Sequence, residues 1–470
     1  RLPGVLLPLR LLLLLVPLLV ACPAAGKSSK AAPVAVEARF KERITAKLSS
    51  ALASATSHLA WSLGVTDDKS ELGESKDIFA PRYEFEFGDG TARWRSRCEA
   101  DIDSSRDSIS HCVMHKLQSL TALCEVPDAA KAYRPGISRL LKRLLAKRET
   151  IISGLGVKRS LLPLGNGIEA WMSELSVGSG NFDVQVPLHA AAMLSVVQCG
   201  SALGDQSVFD IAHSWFAAVE KAYPRNMWDK FSFHLNSILW ESFVVISTMI
   251  RRGSSFAEDL QEFVSDFESY LQAQFNQDAK VWSFSGARAV VLSWLSEPKQ
   301  VRRKKLGKAI DEYMRRWKQL APALNVSMAY TCGPLQGVAP LLMKRGSQAV
   351  ELVSSVLRLM EKDVDLFHIN YVEGDGASSS IAADRVGEEV LAANPNLHGA
   401  FLRDEGQLGG ERRRSIRIDD TAQCVMALSR TLQLLDDLVG VEVSEDGEAV
   451  PLNPSTSAIG QGGAHKREDL

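Results

Sequence analysis

Asp419 and Asp420 stand side by side in Arg414-Ser415-Ile416-Arg417-Ile418-Asp419-Asp420-Thr421-Ala422-Gln423, where a run with helical periodicity begins. Carboxylates at a helix start can cap it, hold a sugar hydroxyl, or act as general acid or base when burial raises a pKa. Consecutive helical residues point about 100° apart, so these two cannot be the opposed carboxylates of a glycosidase, and a partner acid must come from elsewhere. Glu373 and Asp375, in Glu373-Gly374-Asp375-Gly376-Ala377, are the expected partners, with Asp363, Asp365 and Glu241 as further candidates.

Around such acids a sugar site needs flat apolar surface and hydrogen-bonding side chains. Trp282-Ser283-Phe284 offers an aromatic platform, and Asn236, Gln336 and Arg288 can bond hydroxyls or a carboxylate. Arg417, Gln423 and His189 complete the expected substrate-binding set. His189 and His234 lie far apart without metal-ligand spacing, so neither a metal nor another cofactor is expected. Cys332 in Tyr330-Thr331-Cys332-Gly333-Pro334, with His398, has the residue types of a thiol nucleophile. A cysteine before a Gly-Pro helix entry is read instead as packed or bridged.

These residues fall at the starts of recurring helices. Segments rich in small and apolar residues open near Pro187, Leu235, Phe284 and Gly333, so successive starts are 48, 49 and 49 residues apart. Amphipathic, charge-bearing helices separate them at Ser207 to Ala222, Ala257 to Phe275, Val301 to Ala321 and Gln348 to Leu359. Further inner-type helices are expected between Ser108 and Leu123 and at Ile418 to Leu435. A small-residue helix alternating with an amphipathic one at steady pitch suits a closed ring or a solenoid of helical hairpins.

The alternation resembles the (α/α)6 toroid of carbohydrate-active enzymes: six-hairpin glycosidases, sugar epimerases and polysaccharide lyases. The likeness is architectural, covers roughly residues 105 to 436, and brings no family-defining catalytic motif. It implies an all-α fold with a central cavity and a glycan or glycoprotein substrate, hydrolysis standing slightly ahead of epimerisation or elimination. Ile418-Asp419-Asp420-Thr421-Ala422 also looks like part of the Asp-x-Asp-Asp-Thr-Ala signature of class II terpene cyclases, but Arg417 replaces the first Asp. The alternative from another class is a non-catalytic helical-repeat binding or escort protein of the endoplasmic reticulum lumen.

The expected order along the chain is a signal peptide (1–25), a disordered spacer (26–36), an N-terminal helix and β-hairpin region (37–104), the toroid (105–436) and a flexible tail (437–470). The hairpin rests on Tyr83-Glu84-Phe85-Glu86-Phe87 and Thr91 to Trp94, alternating strands around Gly88-Asp89-Gly90. The apolar run from Leu11 to Ala21 is too short to span a bilayer and has the layout of a cleaved signal, so no stable membrane insertion is expected. The final Arg467-Glu468-Asp469-Leu470 resembles the Lys-Asp-Glu-Leu tail read by a retention receptor. A rival reading is a lipoprotein acylated at Cys22, within Leu19-Val20-Ala21-Cys22.

With 54 basic and 56 acidic residues the chain carries a net charge of −2, which does not suggest nucleic acid. The clusters Arg302-Arg303-Lys304-Lys305 and Arg412-Arg413-Arg414 read as solvated helix ends or loops. Beyond the signal stand Cys98, Cys112, Cys124, Cys199, Cys332 and Cys424, an even count suited to an oxidising lumen. One local bridge is expected among the first three, including Cys98. The sequon Asn325-Val326-Ser327 is a candidate glycan site.

Overall fold

The computed structural model describes residues 33–66, 82–88, 91–95, 106–145, 149–152, 157–165, 168–173, 183–184, 186–222, 224–230, 233–250, 255–277, 284–296, 300–320, 332–345, 350–371, 380–408, 411–437, 441–443 and 449–451. Helix accounts for 83% of the interpretable residues, which places the fold among mostly helical ones with a small amount of sheet. The signal-like segment, the retention-like tail, Asn325, Cys98, Trp282, Glu373 and Asp375 lie outside the described residues.

The helices are α1 (Pro33–Ser62), α2 (Arg106–Glu125), α3 (Pro127–Ala132), α4 (Arg134–Leu145), α5 (Val186–Leu203), α6 (Val208–Ala222), α7 (Phe233–Met249), α8 (Ser255–Gln277), α9 (Phe284–Ser296), α10 (Gln300–Leu320), α11 (Cys332–Arg345), α12 (Val350–Phe367), α13 (Ile381–Val386), α14 (Glu388–Ala393) and α15 (Ile418–Asp437). Two kinds alternate, for a reason visible in their side chains. In α7 Leu239, Trp240, Ser242, Phe243, Val244, Val245 and Ile246 are all buried, a run that covers every side of the helix. In α8 the buried residues Phe256, Leu260, Phe263, Val264, Phe267 and Leu271 recur every three or four positions, one apolar stripe on a helix otherwise open to solvent.

The covered helices pack in a cyclic order. Helix α2 lies against α5, α5 against α7, α7 against α9, α9 against α11, α11 against α15, and α15 back against α2. The striped helices α6, α8, α10 and α12 each pack on the covered helix just before them in sequence. The first helix, α1, takes the same position against α15, although the two are separated by most of the chain. Ser195 shows how closely the covered helices approach: its hydroxyl on α5 donates to the Leu117 carbonyl of α2 at 2.7 Å. The small residues Ala190, Ala191 and Ala192 leave room for that approach.

Strands from the N-terminal region and from late in the chain share one sheet. The hairpin strands β1 (Glu84–Gly88) and β2 (Thr91–Arg95) join the four-stranded sheet β2-β1-β8-β7, whose other strands are β7 (Leu402–Leu408) and β8 (Glu411–Arg417). Strands β1 and β8 pair antiparallel with Glu84 opposite Arg417 and Phe85 opposite Ile416. The Ile418 N–H then donates to the Tyr83 carbonyl at 3.0 Å, so β1 runs beside the first turn of α15. Helix α1 begins at Pro33, inside the stretch read as a spacer. A second four-stranded sheet, β3 (Glu149–Ile152), β4 (Val157–Gly165), β5 (Ile168–Ser173) and β6 (Asp183–Val184), was not expected from the sequence. The stretch read as a tail contains the antiparallel pair β9 (Val441–Val443) and β10 (Ala449–Pro451).

Two disulfides tie neighbouring covered helices: Cys124 to Cys199 joins α2 to α5, and Cys332 to Cys424 joins α11 to α15. The first joins Cys124 to a partner 75 residues away, while the local bridge expected to include Cys98 lies outside the described residues. The second leaves Cys332 no thiol with which to act as a nucleophile.

Helix α1 is fixed to the segment after α12 through histidines. Ser54 Oγ and His368 Nε2 share a hydrogen bond of 2.8 Å, and His58 Nδ1 one of 2.7 Å with the Asn396 carbonyl. Gly399, at φ 87°, presses against the Ser54 carbonyl where a Cβ would sit 2.1 Å from that oxygen, so no other residue fits. Burial lowers His58 to about 4 and His368 to about 3, with His398 pushing both the same way. Unfolded, each titrates near 6.5, so their contribution is complete above that pH and is lost as pH falls toward 4. Thermal melts should show stability dropping across this interval. His58→Gln should remove up to roughly 3 kcal/mol of that dependence, and an unchanged pH profile would contradict the buried neutral histidine.

Candidate functional site

Asp419 and Asp420 open α15, and both are only 5% exposed. Asp419 is held by Arg417, the last residue of β8. Arg417 Nε donates to Asp419 Oδ1 at 2.9 Å and Nη2 to Oδ2 at 2.6 Å, a bidentate charge-assisted pair. Arg417 Nη2 also donates to Tyr83 Oη at 2.7 Å, and that oxygen shares a 2.8 Å hydrogen bond with His115 Nδ1 of α2. His115 Nδ1 lies 3.4 Å from Asp419 Oδ2. Side chains from β8 and α2 thus meet the Asp419 carboxylate, with Tyr83, just before β1, bridging them.

Asp420 has a different environment. Its Oδ2 is buried, accepts no hydrogen bond, and lies 3.5 Å from Arg403 Nη1 of β7. The two neighbours are driven apart in protonation. Burial opposes the charged form of Asp419, but His115, Arg417 and Arg403 outweigh it and hold this carboxyl below its ordinary range. Burial and the Asp419 charge raise Asp420 to about 7, with Glu84 adding to the shift. Below about pH 7 an ionised and a neutral carboxyl then stand side by side, the division that acid–base chemistry uses.

A second group of charges lies between the covered helices. Arg430 of α15 donates from Nε to Glu125 Oε1 at 2.7 Å, from Nη2 to Glu125 Oε2 at 2.9 Å, and from Nη1 to the Gln336 carbonyl of α11 at 2.8 Å. Arg288 of α9 bonds Glu241 of α7 at 2.9 Å and lies 3.3 Å from Glu125 of α2. Glu125 is buried against the charge, but Arg288 and Arg430 hold it down at about 2. Five of the covered helices are joined through these four side chains and one carbonyl. Arg430 lies ten residues beyond Asp420 on α15, about 15 Å along the axis.

The structure therefore sorts the expected site residues. It brings Arg417 together with Asp419 and Asp420, and Arg417 is bonded to Asp419 and to Tyr83. It brings Arg288, Glu241 and the Gln336 backbone together in the charge network, where Arg288 is occupied by two carboxylates. Gln423 is partly buried on α15. The side chains of His189 and Asn236 lie outside the described residues, and Asp363 is a buried carboxyl on α12 raised well above its usual value by burial. Tyr83, Glu84, His115, Arg403, Glu125 and Arg430 were not anticipated. A charge in a helix otherwise filled with Leu, Val and Ala was the available signal for Arg430. Among the described residues no His, Cys, Asp and Glu group has metal-binding geometry. No family model, curated protein or solved structure matches this chain.

Removing one member of a buried pair leaves the other charge uncompensated. Arg430→Met should destabilise the protein by about 3–5 kcal/mol, and adding Glu125→Leu should recover a large part of this. A double-mutant cycle in denaturant would check it; strictly additive losses would contradict the coupling.

Proposed function

We propose that this chain is a carbohydrate-active enzyme of the secretory lumen, an (α/α) toroid whose reaction centre is the acid pair at the start of α15. The cyclic packing of six covered helices supports the ring, since an open solenoid gives its first and last repeats no contact. What supports the chemistry is the bidentate hold of Arg417 on Asp419 beside a buried Asp420 whose Oδ2 accepts no hydrogen bond, a setting that drives the two carboxyls apart in protonation.

Asp420, neutral up to about pH 7, is the general acid. It gives its proton to the glycosidic oxygen as the bond to the anomeric carbon breaks. A water adds to that carbon, and a second carboxylate, Glu373 or Asp375, takes its proton. Asp419 does not touch substrate; its negative charge keeps the proton on Asp420, and Arg417, Tyr83 and His115 hold it in place. Gln336, Gln423, Asn236, His189 and Trp282 remain the proposed sugar contacts. Hydrolysis is favoured over epimerisation or elimination because a neutral carboxylic acid suits leaving-group protonation. The escort reading needs a broad apolar surface. Among the described residues the exposed large apolar side chains are Val301 and Ile381, on separate helices.

Asp420→Asn should abolish turnover of whichever glycan in a panel is cleaved by the wild type, by at least about 100-fold, with the fold intact. Asp419→Asn should retain measurable turnover but move the alkaline limb of the pH–rate profile to lower pH. Its sign follows from the shift: without the Asp419 charge, Asp420 releases its proton more readily. Wild-type turnover in Asp420→Asn would overturn the assignment.

A further inference from the structure

The most concentrated charge on the chain lies away from the acid pair. Helix α10 carries eight basic residues against Asp311 and Glu312, in a protein whose net charge is −2. Its buried side is set by Leu306 and Ile310. Arg302 bonds Glu268 of α8 at 3.1 Å, Lys305 adds its charge to that carboxylate, and Arg303 stacks over Trp294 at 4.6 Å. Farther along, Arg315 pairs with Glu312. Lys304, Lys305 and Lys308 are exposed and share one face with Val301, within an arc of about 100°. Val301 is 86% exposed, the more open of the two exposed large apolar side chains among the described residues.

The first turn of α10 has no acidic residue and holds Arg302 and Arg303, while Lys304, Lys305 and Lys308 follow in the next two turns as one exposed cationic face. A cationic face with a branched aliphatic tip at its edge matches an anionic bilayer surface, where lysines meet headgroup phosphates and carboxylates while the tip enters the interface. A soluble polyanion would use the lysines but has no use for Val301.

We infer that the Val301-Lys304-Lys305-Lys308 face of α10 docks the protein peripherally on anionic phospholipid. No described helix is long and apolar enough to cross a membrane, so the contact is one of surface attachment. It is independent of the enzymatic reading, because α10 lies outside the ring of covered helices that carries the acid pair.

The test is co-sedimentation of the full chain with vesicles of phosphatidylcholine alone or mixed with phosphatidylserine, at low and high salt. Binding should require phosphatidylserine and weaken with salt. Replacing Lys304, Lys305 and Lys308 with Ala should lower affinity about 100-fold, at roughly fivefold per lysine. Val301→Ser should lower it about tenfold, and both variants should keep the wild-type melting temperature because these side chains are exposed. Binding that persists on pure phosphatidylcholine, or that survives the triple substitution, would overturn the proposal. So would heparin binding combined with vesicle binding indifferent to Val301→Ser, which would assign the face to a soluble polyanion.

Discussion

The bidentate pairing of Arg417 with Asp419 is the constraint on which the candidate site depends. It spans the junction between β8 and α15, and through Tyr83 and His115 it reaches β1 and α2. Arg417 and Asp419 are poorly hydrated, so each of their charges persists because the other answers it. Burial disfavours a charge on Asp420, and the Asp419 anion beside it adds to that, so Asp420 holds its proton up to about pH 7. The ion pair thus fixes the chain geometry and contributes to the protonation of its neighbour. Tyr83, pressed among buried carboxyls, is raised by burial and by Asp419, so it too stays neutral.

The same logic recurs about 15 Å along α15. Arg430 and Arg288 face Glu125 and Glu241 with opposite charges balanced two to two. Apolar packing alone would hold the covered helices together without specifying their rotation. The paired charges select one arrangement, because any slip would strand an ion in the interior. Disulfides reinforce two of the contacts in the cycle, α2 with α5 and α11 with α15. Contact between α15 and α2, which closes the packing order, relies instead on Glu125 with Arg430 and on Ser119, whose hydroxyl donates to the Ile418 carbonyl.

Much of this was legible in the amino-acid sequence because helix period is a local property. The starts inferred near Pro187, Leu235, Phe284 and Gly333 coincide with α5, α7, α9 and α11, and the charge-bearing segments with α6, α8, α10 and α12. Pairings over long distance were not legible. Glu84 opposite Arg417, Cys124 with Cys199 and Glu125 with Arg430 join residues separated by 75 or more positions, and no local pattern marks such partners. The aspartates were found from their place at a helix start. Their unequal roles could not be, since the asymmetry arises from Arg417, Tyr83 and His115, brought in from three other elements.

Titrating the buried carboxyls directly tests the central claim without any need for a substrate. Carbon-detected NMR of 13C-labelled side-chain carboxyls should show two aspartates titrating above the ordinary carboxylate range, Asp363 and Asp420, and the signal of the second should vanish in Asp420→Asn. In Asp419→Asn the same signal should persist and titrate at lower pH. If Asp419 and Asp420 titrate together in the ordinary carboxylate range, the division of charge at the start of α15 does not exist and the acid role falls with it.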